Sequence, residues 1–363
     1  MENLKLNRRA VMAGSLAQAL PALTSSGCAQ SHATDVVPQA DTCTIDADGT
    51  ADVTRVVPVP GTISPEAQKF ISVAAPSGPP PPLAVLRAET DAFRIRRVAE
   101  AKKLFPVNVT GKIMGDARCD VITPLNIPPA NKNQALINVH EGGFVTDSGS
   151  LVEGIPIAYL TRTTVISVYY RLAPEHPFPA AVDDTVSVYR ELLKNYKPQE
   201  VGLFGISAGA ILTGEVAVAL CKRKLPLPAA LGIFSGTGDM SMPGDTEAVY
   251  KISEFSGYLV PPSKSHWRDP YVDGHNPKDP VRSPLYADLG GFPPSLFLTS
   301  TRDVLLSGTS ILHLAMLRAG NRAEIVVFEA LPHAFWYDYH LPETREALNI
   351  MAQFFNKHVG QAR

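Results

Sequence analysis

One serine stands between an apolar run and a run of small residues, flanked by two glycines. Residues 201–204, Val-Gly-Leu-Phe, predict a buried strand, and residues 208–222 predict a helix. Between them lies Gly205-Ile206-Ser207-Ala208-Gly209, the G-x-S-x-G pattern of a nucleophile elbow. The glycines permit a tight turn that exposes the Ser207 hydroxyl at a helix N-terminus, which favours an attacking alkoxide. Ser207 as a plain helix N-cap is the alternative.

A nucleophilic serine needs a base and an acid that orients the base, and both follow in the chain. Asp303 comes after a predicted strand at 295–300, and His333 comes after the next one, at 324–329. Parallel strands deliver their carboxyl ends to one edge of a sheet, so both side chains are expected near Ser207. Taken singly, Asp303 could cap a helix at 308–319 and His333 could be a core histidine. The order Ser, Asp, His at three strand ends favours a catalytic triad.

A glycine pair supplies candidate donors for a developing oxyanion. The predicted strand at 134–140 leads into the run His140-Glu141-Gly142-Gly143-Phe144. The backbone N–H groups of Gly142 and Gly143, with that of Ala208 directly after the nucleophile, are expected to form the oxyanion hole. An ordinary strand-to-loop turn is the alternative for the glycine pair.

Strands and helices alternate from about residue 107, which predicts a mostly parallel sheet flanked by helices. The predicted strands cover 107–114, 119–123, 134–140, 164–170, 201–206, 229–235, 295–300 and 324–329, and the predicted helices cover 65–74, 83–104, 150–162, 180–195, 208–222, 308–319 and 342–358. Residues 237–290 break this rhythm. A connection of that length predicts a functional cover.

With these motifs, the sequence resembles the hormone-sensitive-lipase-like esterases of the α/β-hydrolase superfamily over roughly residues 65–358. The most specific match is the run Tyr170-Arg171-Leu172-Ala173-Pro174-Glu175-His176-Pro177-Phe178-Pro179-Ala180-Ala181. The resemblance implies an α/β-hydrolase fold, a structural role for this run beside the elbow, and a helical cap. The cap would comprise N-terminal helices at 64–105 and an insertion at about 238–275 within a catalytic domain at 106–363.

Two residues depart from the family pattern. Glu141 replaces the first glycine of the oxyanion motif, and Ile206 stands where the family usually has Asp or Thr. We expect a small effect from Ile206. We expect the carboxylate of Glu141 to affect the rate of the reaction more than the type of reaction. In the cap insertion, Tyr258, Trp267 and Tyr271, with Phe144, are candidates for an apolar pocket, and plain cap core is the alternative.

Composition excludes several classes of function. The 363 residues include 33 Lys plus Arg against 35 Asp plus Glu, a net charge of −2 without a long basic run, so no nucleic-acid partner is expected. The four cysteines have no metal-ligand spacing, so no zinc site is expected. The expected triad chemistry requires neither a metal nor an organic cofactor. The pairing of Cys43, Cys119 and Cys221 stays open. No membrane span is expected in the mature chain.

The N-terminal 30 residues resemble an export signal. Lys5 and Arg8-Arg9 precede an apolar run from Ala10 to Leu23 and a small-residue exit. The arginine pair favours the twin-arginine route, and lipoprotein anchoring at Cys28 is the alternative to a simple cleaved signal. A periplasmic or secreted protein is therefore expected. Residues 31–63 show no sustained period and predict a linker.

These features predict a serine carboxylester hydrolase acting on short- to medium-chain acyl esters or lactones. The resemblance favours small substrates because the expected cap restricts the pocket. Two alternatives stay open: an amide or arylformamide hydrolase with the same machinery, and a ligand-binding protein on this scaffold that has lost catalysis. A homodimer is also left open.

Overall fold

The structure is a computed structural model that describes residues 41–72, 81–147, 150–242, 244–253, 256–258 and 269–360. The chain divides into two compact units, one ending at Val57 and the other beginning at Pro58. The expected export signal at 1–30, with Cys28, lies outside the described residues.

Within the first unit, an antiparallel hairpin pairs β1 (Thr42–Ile45) with β2 (Ala51–Thr54). Its turn places Gly49 at φ +89°, and the N–H of Thr50 donates to the Asp48 carboxylate at 3.0 Å. The segment predicted as a linker, residues 31–63, thus contains a β-hairpin in its described part. An Asp-Gly turn between short β-branched runs is a hairpin signal, but four-residue strands are too short for a period to be read.

The second unit is built on an eight-stranded sheet with the order β12-β11-β8-β7-β5-β6-β4-β3. All neighbours are parallel except β4, which runs antiparallel to both β3 and β6. The strands of this unit are β3 (Val107–Met114), β4 (Ala117–Pro124), β5 (Ala135–Val139), β6 (Thr164–Tyr169), β7 (Val201–Ile206), β8 (Ala230–Phe234), β9 (Lys251–Ser253), β10 (Ser256–Tyr258), β11 (Ser295–Arg302) and β12 (Ala323–Pro332). Each of the eight predicted strands is present, to within a few residues at its ends.

The helices follow the predicted alternation. They are α1 (Pro65–Ile71), α2 (Leu83–Leu104), α3 (Ser150–Thr161), α4 (Ala180–Leu192), α5 (Ala208–Lys222), α6 (Asp245–Val249), α7 (Asp269–Val272), α8 (Leu306–Arg318) and α9 (Pro342–His358). Of these, α6 and α7, with the small hairpin of β9 and β10, lie in the insertion that the sequence places at about 238–275.

Two apolar clusters fill the two faces of the large sheet. Ile155 of α3 and Phe355 of α9 belong to one, while Ile211 of α5 and Leu312 of α8 belong to the other. Successive strand residues alternate between the clusters, so Leu203 and Phe204 face opposite sides. The fold is thus the predicted α/β-hydrolase arrangement, with helices on both faces of a mostly parallel sheet.

Two further features concern membrane-spanning helices and disulfide bonds. Among the described residues, no helix is long and apolar enough to cross a membrane. Cys43, Cys119 and Cys221 are free thiols, so none of these three forms a disulfide.

Candidate active site

Ser207 lies in a sharp turn between β7 and α5. Its backbone has φ +54° and ψ −118°, a region that a residue with a Cβ rarely adopts. The Ser207 N–H donates to the carbonyl of Phe234, the last residue of β8, at 3.0 Å. Ser207 as a whole residue is 8% exposed. The predicted elbow is therefore present, with the serine in a strained backbone conformation held by the neighbouring strand.

The glycines of the elbow are required by close backbone approach. A Cβ on Gly209 would lie 1.9 Å from the carbonyl oxygen of Val139, at the end of β5. A Cβ on Gly205 would lie 2.3 Å from the carbonyl carbon of Gly209. Side chains at these positions would force α5 away from the sheet, so the G-x-S-x-G pattern reflects packing as well as turn geometry.

Asp303 and His333 form a buried pair at the ends of β11 and β12. The Nδ1 of His333 lies 2.8 Å from Asp303 Oδ1, and Asp303 is fully buried. The same oxygen accepts the N–H of Leu305 at 2.9 Å. Asp303 Oδ2 accepts from Thr299 Oγ1 at 2.7 Å and from the hydroxyl of Ser235. Four donors thus fix the carboxylate in one orientation toward the histidine ring.

The pKa values of this pair move apart, as expected for an ion pair. Burial alone would raise the pKa of Asp303, but the His333 charge and the hydrogen bonds hold it below its usual value. Burial would lower the pKa of His333, but the Asp303 charge and hydrogen bond raise it, with a further contribution from Glu141. The carboxylate is therefore ionised near neutral pH and stabilises a positive charge on the ring.

The three predicted residues lie along one edge of the sheet, and a short path connects them. Phe234 accepts the Ser207 N–H, and the next residue, Ser235, donates its hydroxyl to Asp303. The remaining ring nitrogen of His333, Nε2, is buried and has no hydrogen-bond partner within the described part of the chain. This nitrogen can take up a proton while Nδ1 stays bonded to Asp303.

The glycine loop after β5 is a tight turn of left-handed residues. Gly142, Gly143 and Phe144 have φ values of +111°, +58° and +65°. The Gly142 carbonyl accepts the N–H groups of Val145 and Thr146, each at 3.0 Å. A Cβ on Gly142 would lie 2.2 Å from the Thr146 carbonyl oxygen. Glycine is thus required at Gly142, and the turn keeps the loop compact.

Ala208 occupies the first position of α5, directly after the serine. An N–H in the first turn of a helix has no acceptor within the helix. The Ala208 N–H is therefore available to an oxygen placed beside Ser207, as the sequence predicts.

The Tyr170–Ala181 run packs on the glycine loop. The Tyr170 hydroxyl donates to the His140 carbonyl at 2.7 Å, and its ring stacks on that of His140 at 4.0 Å between centroids. The Ala173 N–H donates to the Phe144 carbonyl at 2.8 Å. From α2, Arg87 donates to the carbonyls of both Ala173 and Val145. The run therefore has a structural role, which includes holding the glycine loop in place.

The aromatic candidates of the insertion are only partly described. Tyr271 stacks on Phe144 with 3.6 Å between ring centroids, and both rings are about 1% exposed. Their burial agrees with the core alternative. Trp267 and the side chain of Tyr258 lie outside the described residues.

Several polar residues around the site were missed by the sequence reasoning. Ser235 and Thr299 hold Asp303, Glu153 of α3 contacts the backbone of Glu141, and Glu215 of α5 accepts from the Tyr271 hydroxyl at 2.5 Å. Glu153 and Glu215 are lone acids inside apolar helical runs, and that pattern was a usable signal. No cluster of three or more His, Cys, Asp or Glu that could hold a metal ion occurs among the described residues.

Comparison with known proteins identifies the family. Residues 136–337, more than half of the chain, match a family model of the alpha/beta hydrolase fold. An acetyl-hydrolase from Streptomyces hygroscopicus is 33% identical over 64% of this chain and 79% of its own length. An esterase from Acinetobacter venetianus is 27% identical over 69% of this chain and 84% of its own length.

Solved structures show the same relationship. The crystal structure of esterase E25 aligns with a TM-score of 0.74 and 30% identity, over 84% of this chain and 98% of that one. An esterase from the bacterial hormone-sensitive lipase family aligns with a TM-score of 0.67 and 28% identity, over 81% of this chain and 98% of that one. With this fold, this site and these relatives, the chain belongs to the alpha/beta-hydrolase family, among the esterases similar to hormone-sensitive lipase, and is an enzyme of the carboxylesterase class.

Proposed function

We propose that this esterase hydrolyses short- to medium-chain acyl esters or lactones through a Ser207-His333-Asp303 triad and an acyl-enzyme intermediate. The observation that carries the proposal is the buried His333–Asp303 pair at the same sheet edge as a strained serine elbow. The relatives named acetyl-hydrolase support a small acyl group.

In the first half of the reaction, His333 Nε2 takes the hydroxyl proton of Ser207 as the serine oxygen attacks the ester carbonyl. The ring becomes an imidazolium, and Asp303 stabilises its charge through the 2.8 Å contact at Nδ1. The negative oxygen of the tetrahedral intermediate lies against the N–H groups of Gly142, Gly143 and Ala208.

Collapse of the intermediate breaks the ester C–O bond. His333 returns its proton to the leaving alcohol, and the acyl group stays on Ser207. A water molecule then attacks the acyl-enzyme, with His333 acting again as base and then as acid. Free carboxylic acid leaves and Ser207 is restored.

We further propose that the enzyme acts outside the cytoplasm, because residues 1–30 resemble an export signal.

The test is hydrolysis of p-nitrophenyl esters from acetate to laurate by the wild type, Ser207→Ala and Ser187→Ala. Ser187 is the matched control because its hydroxyl donates to Asp116 at 2.8 Å, away from the site. We expect the highest kcat/KM on short chains and a loss of about 10⁴-fold or more in Ser207→Ala only. A fluorophosphonate probe should label the wild type and Ser187→Ala. Turnover by Ser207→Ala at the wild-type rate would refute the proposal.

A further inference from the structure

A buried carboxyl group joins the glycine loop to the segment that carries His333. Glu153 of α3 is 2% exposed. Its Oε1 accepts the N–H of Glu141 at 3.1 Å and the hydroxyl of Tyr337 at 2.6 Å. Glu141 directly precedes the glycine pair, and Tyr337 ends the short 3-10 helix Phe335–Tyr337 that follows His333. The Glu153 side chain therefore contacts both the residue that precedes the glycine pair and the short helix that follows His333.

The other carboxyl oxygen faces an amide. Glu153 Oε2 lies 2.6 Å from one end of the Asn138 amide, and the other end lies 3.0 Å from Ser167 Oγ. Ser167 Oγ also lies 2.6 Å from the carbonyl oxygen of Ser150. Glu153, Asn138, Ser167 and the Ser150 carbonyl thus form a buried chain of polar contacts between α3 and strands β5 and β6.

The number of available protons determines which of these groups donate hydrogen bonds and which accept them. Were Asn138 Nδ2 to donate to Glu153, Ser167 would have to donate both to Asn138 Oδ1 and to the Ser150 carbonyl. A hydroxyl has one proton, and a carbonyl can only accept, so the Ser167 proton goes to Ser150. Half a turn of the Asn138 amide removes the conflict: Nδ2 then donates to Ser167, and Oδ1 faces Glu153 Oε2. Two oxygens at 2.6 Å need a proton between them.

We propose that Glu153 is a neutral carboxylic acid whose Oε2–H donates to Asn138 Oδ1, and that in this form it positions the glycine loop relative to His333. Its carbonyl oxygen, Oε1, is the acceptor for Glu141 and Tyr337. Glu153 touches no reacting atom, so it is a positioning residue. The positioning role rests on the proposed function, whereas the protonation state does not.

The electrostatic surroundings agree with the neutral form. Burial, and then the charge of Glu141, raise the pKa of Glu153 well above its usual value. Within the described part of the chain, the hydroxyls of Tyr170, Tyr337 and Tyr339 also interact with Glu153, and their own pKa values are raised. These hydroxyls add no positive charge that would favour ionisation, and the charge of Glu141 opposes it.

Glu153→Gln mimics the neutral acid. The glutamine oxygen can accept from the Glu141 N–H and the Tyr337 hydroxyl, and the glutamine NH₂ can donate to Asn138 Oδ1. We expect Glu153→Gln to keep kcat within about threefold and Tyr337→Phe to lower kcat about tenfold at unchanged KM.

Tyr339→Phe is the matched control, because the Tyr339 hydroxyl donates its hydrogen bond to the Val152 carbonyl, at 2.9 Å, and not to Glu153. We expect its kcat to stay at the wild-type value. Infrared difference spectra between the wild type and Glu153→Gln at neutral pH should show the C=O band of a protonated carboxylic acid lost in the variant. This band reports on Glu153 even if the tested esters are poor substrates.

Two results would overturn the inference. A carboxylate band in place of the acid band would refute the neutral form. A kcat in Tyr337→Phe equal to that in Tyr339→Phe, on an ester that the wild type hydrolyses, would refute the positioning role.

Discussion

Replacing Asp303 with asparagine removes one charge from a site held by four donors. The Leu305 N–H cannot reverse its direction, so the asparagine oxygen must remain on the side of Leu305 and His333. The hydroxyls of Ser235 and Thr299 can rotate and accept from the new NH₂ group. The His333 Nδ1–H therefore keeps an acceptor, and the tautomer that leaves Nε2 free is retained.

The magnitude of the effect follows from the lost charge alone. The imidazolium that forms on His333 no longer faces a carboxylate at hydrogen-bond distance. Two unit charges about 4 Å apart interact by about 4 kcal/mol at an effective dielectric constant of about 20. That energy corresponds to a fall in kcat of about 10³-fold. A wrong tautomer would add to this and bring the loss to about 10⁴-fold.

The assay is kcat and kcat/KM for p-nitrophenyl acetate across pH, with Asp338→Asn as control. Asp338 follows His333 in the chain, and within the described residues its Oδ1 accepts only the His340 N–H, at 3.0 Å. We expect Asp338→Asn to keep kcat within about threefold. The Asp303 charge raises the pKa of His333, so its removal should move the acid limb of kcat/KM to lower pH. A fall in kcat below about tenfold would refute the charge argument, and a fall of 10⁴-fold or more would refute the retained tautomer.

Two further predictions concern the elbow and the glycine loop. Gly209→Ala would place a Cβ 1.9 Å from the Val139 carbonyl oxygen, so we expect a large drop in melting temperature. Gly214→Ala on the same helix would place a Cβ 3.1 Å and 3.7 Å from two ring carbons of Pro284, so we expect a much smaller change, and equal melting temperatures of the two variants would contradict the packing argument. Glu141→Gln removes a negative charge that raises the pKa of His333, so the acid limb of the pH profile should move to lower pH, and an unmoved limb would show that this charge does not act on the histidine.

The sheet and the three triad candidates were predictable from sequence because each has a local signal. β7 and most of β11 are short apolar runs buried on both faces, whereas the edge strand β12 is only partly buried, and the candidates directly follow these three strands. The hairpin of β1 and β2 was missed because its strands have only four residues each. Glu141 is visible in the sequence as a departure from the family pattern, but its electrostatic effect on His333 depends on where two loops meet in space.

The residues that hold the triad candidates in place could not be found from spacing, because their partners are distant in sequence. Glu153 and Tyr337 are 184 residues apart, and Ser235 and Asp303 are 68 apart. What the sequence does show is the cost of such a residue: an acid inside an apolar helix loses hydration, so it persists only where buried donors compensate it or where a proton neutralises it. Glu153 and Glu215 both meet this description, and each contacts a tyrosine hydroxyl. A lone acid in a buried helix is therefore a sequence signal for a buried polar contact, even when the partner itself cannot be named.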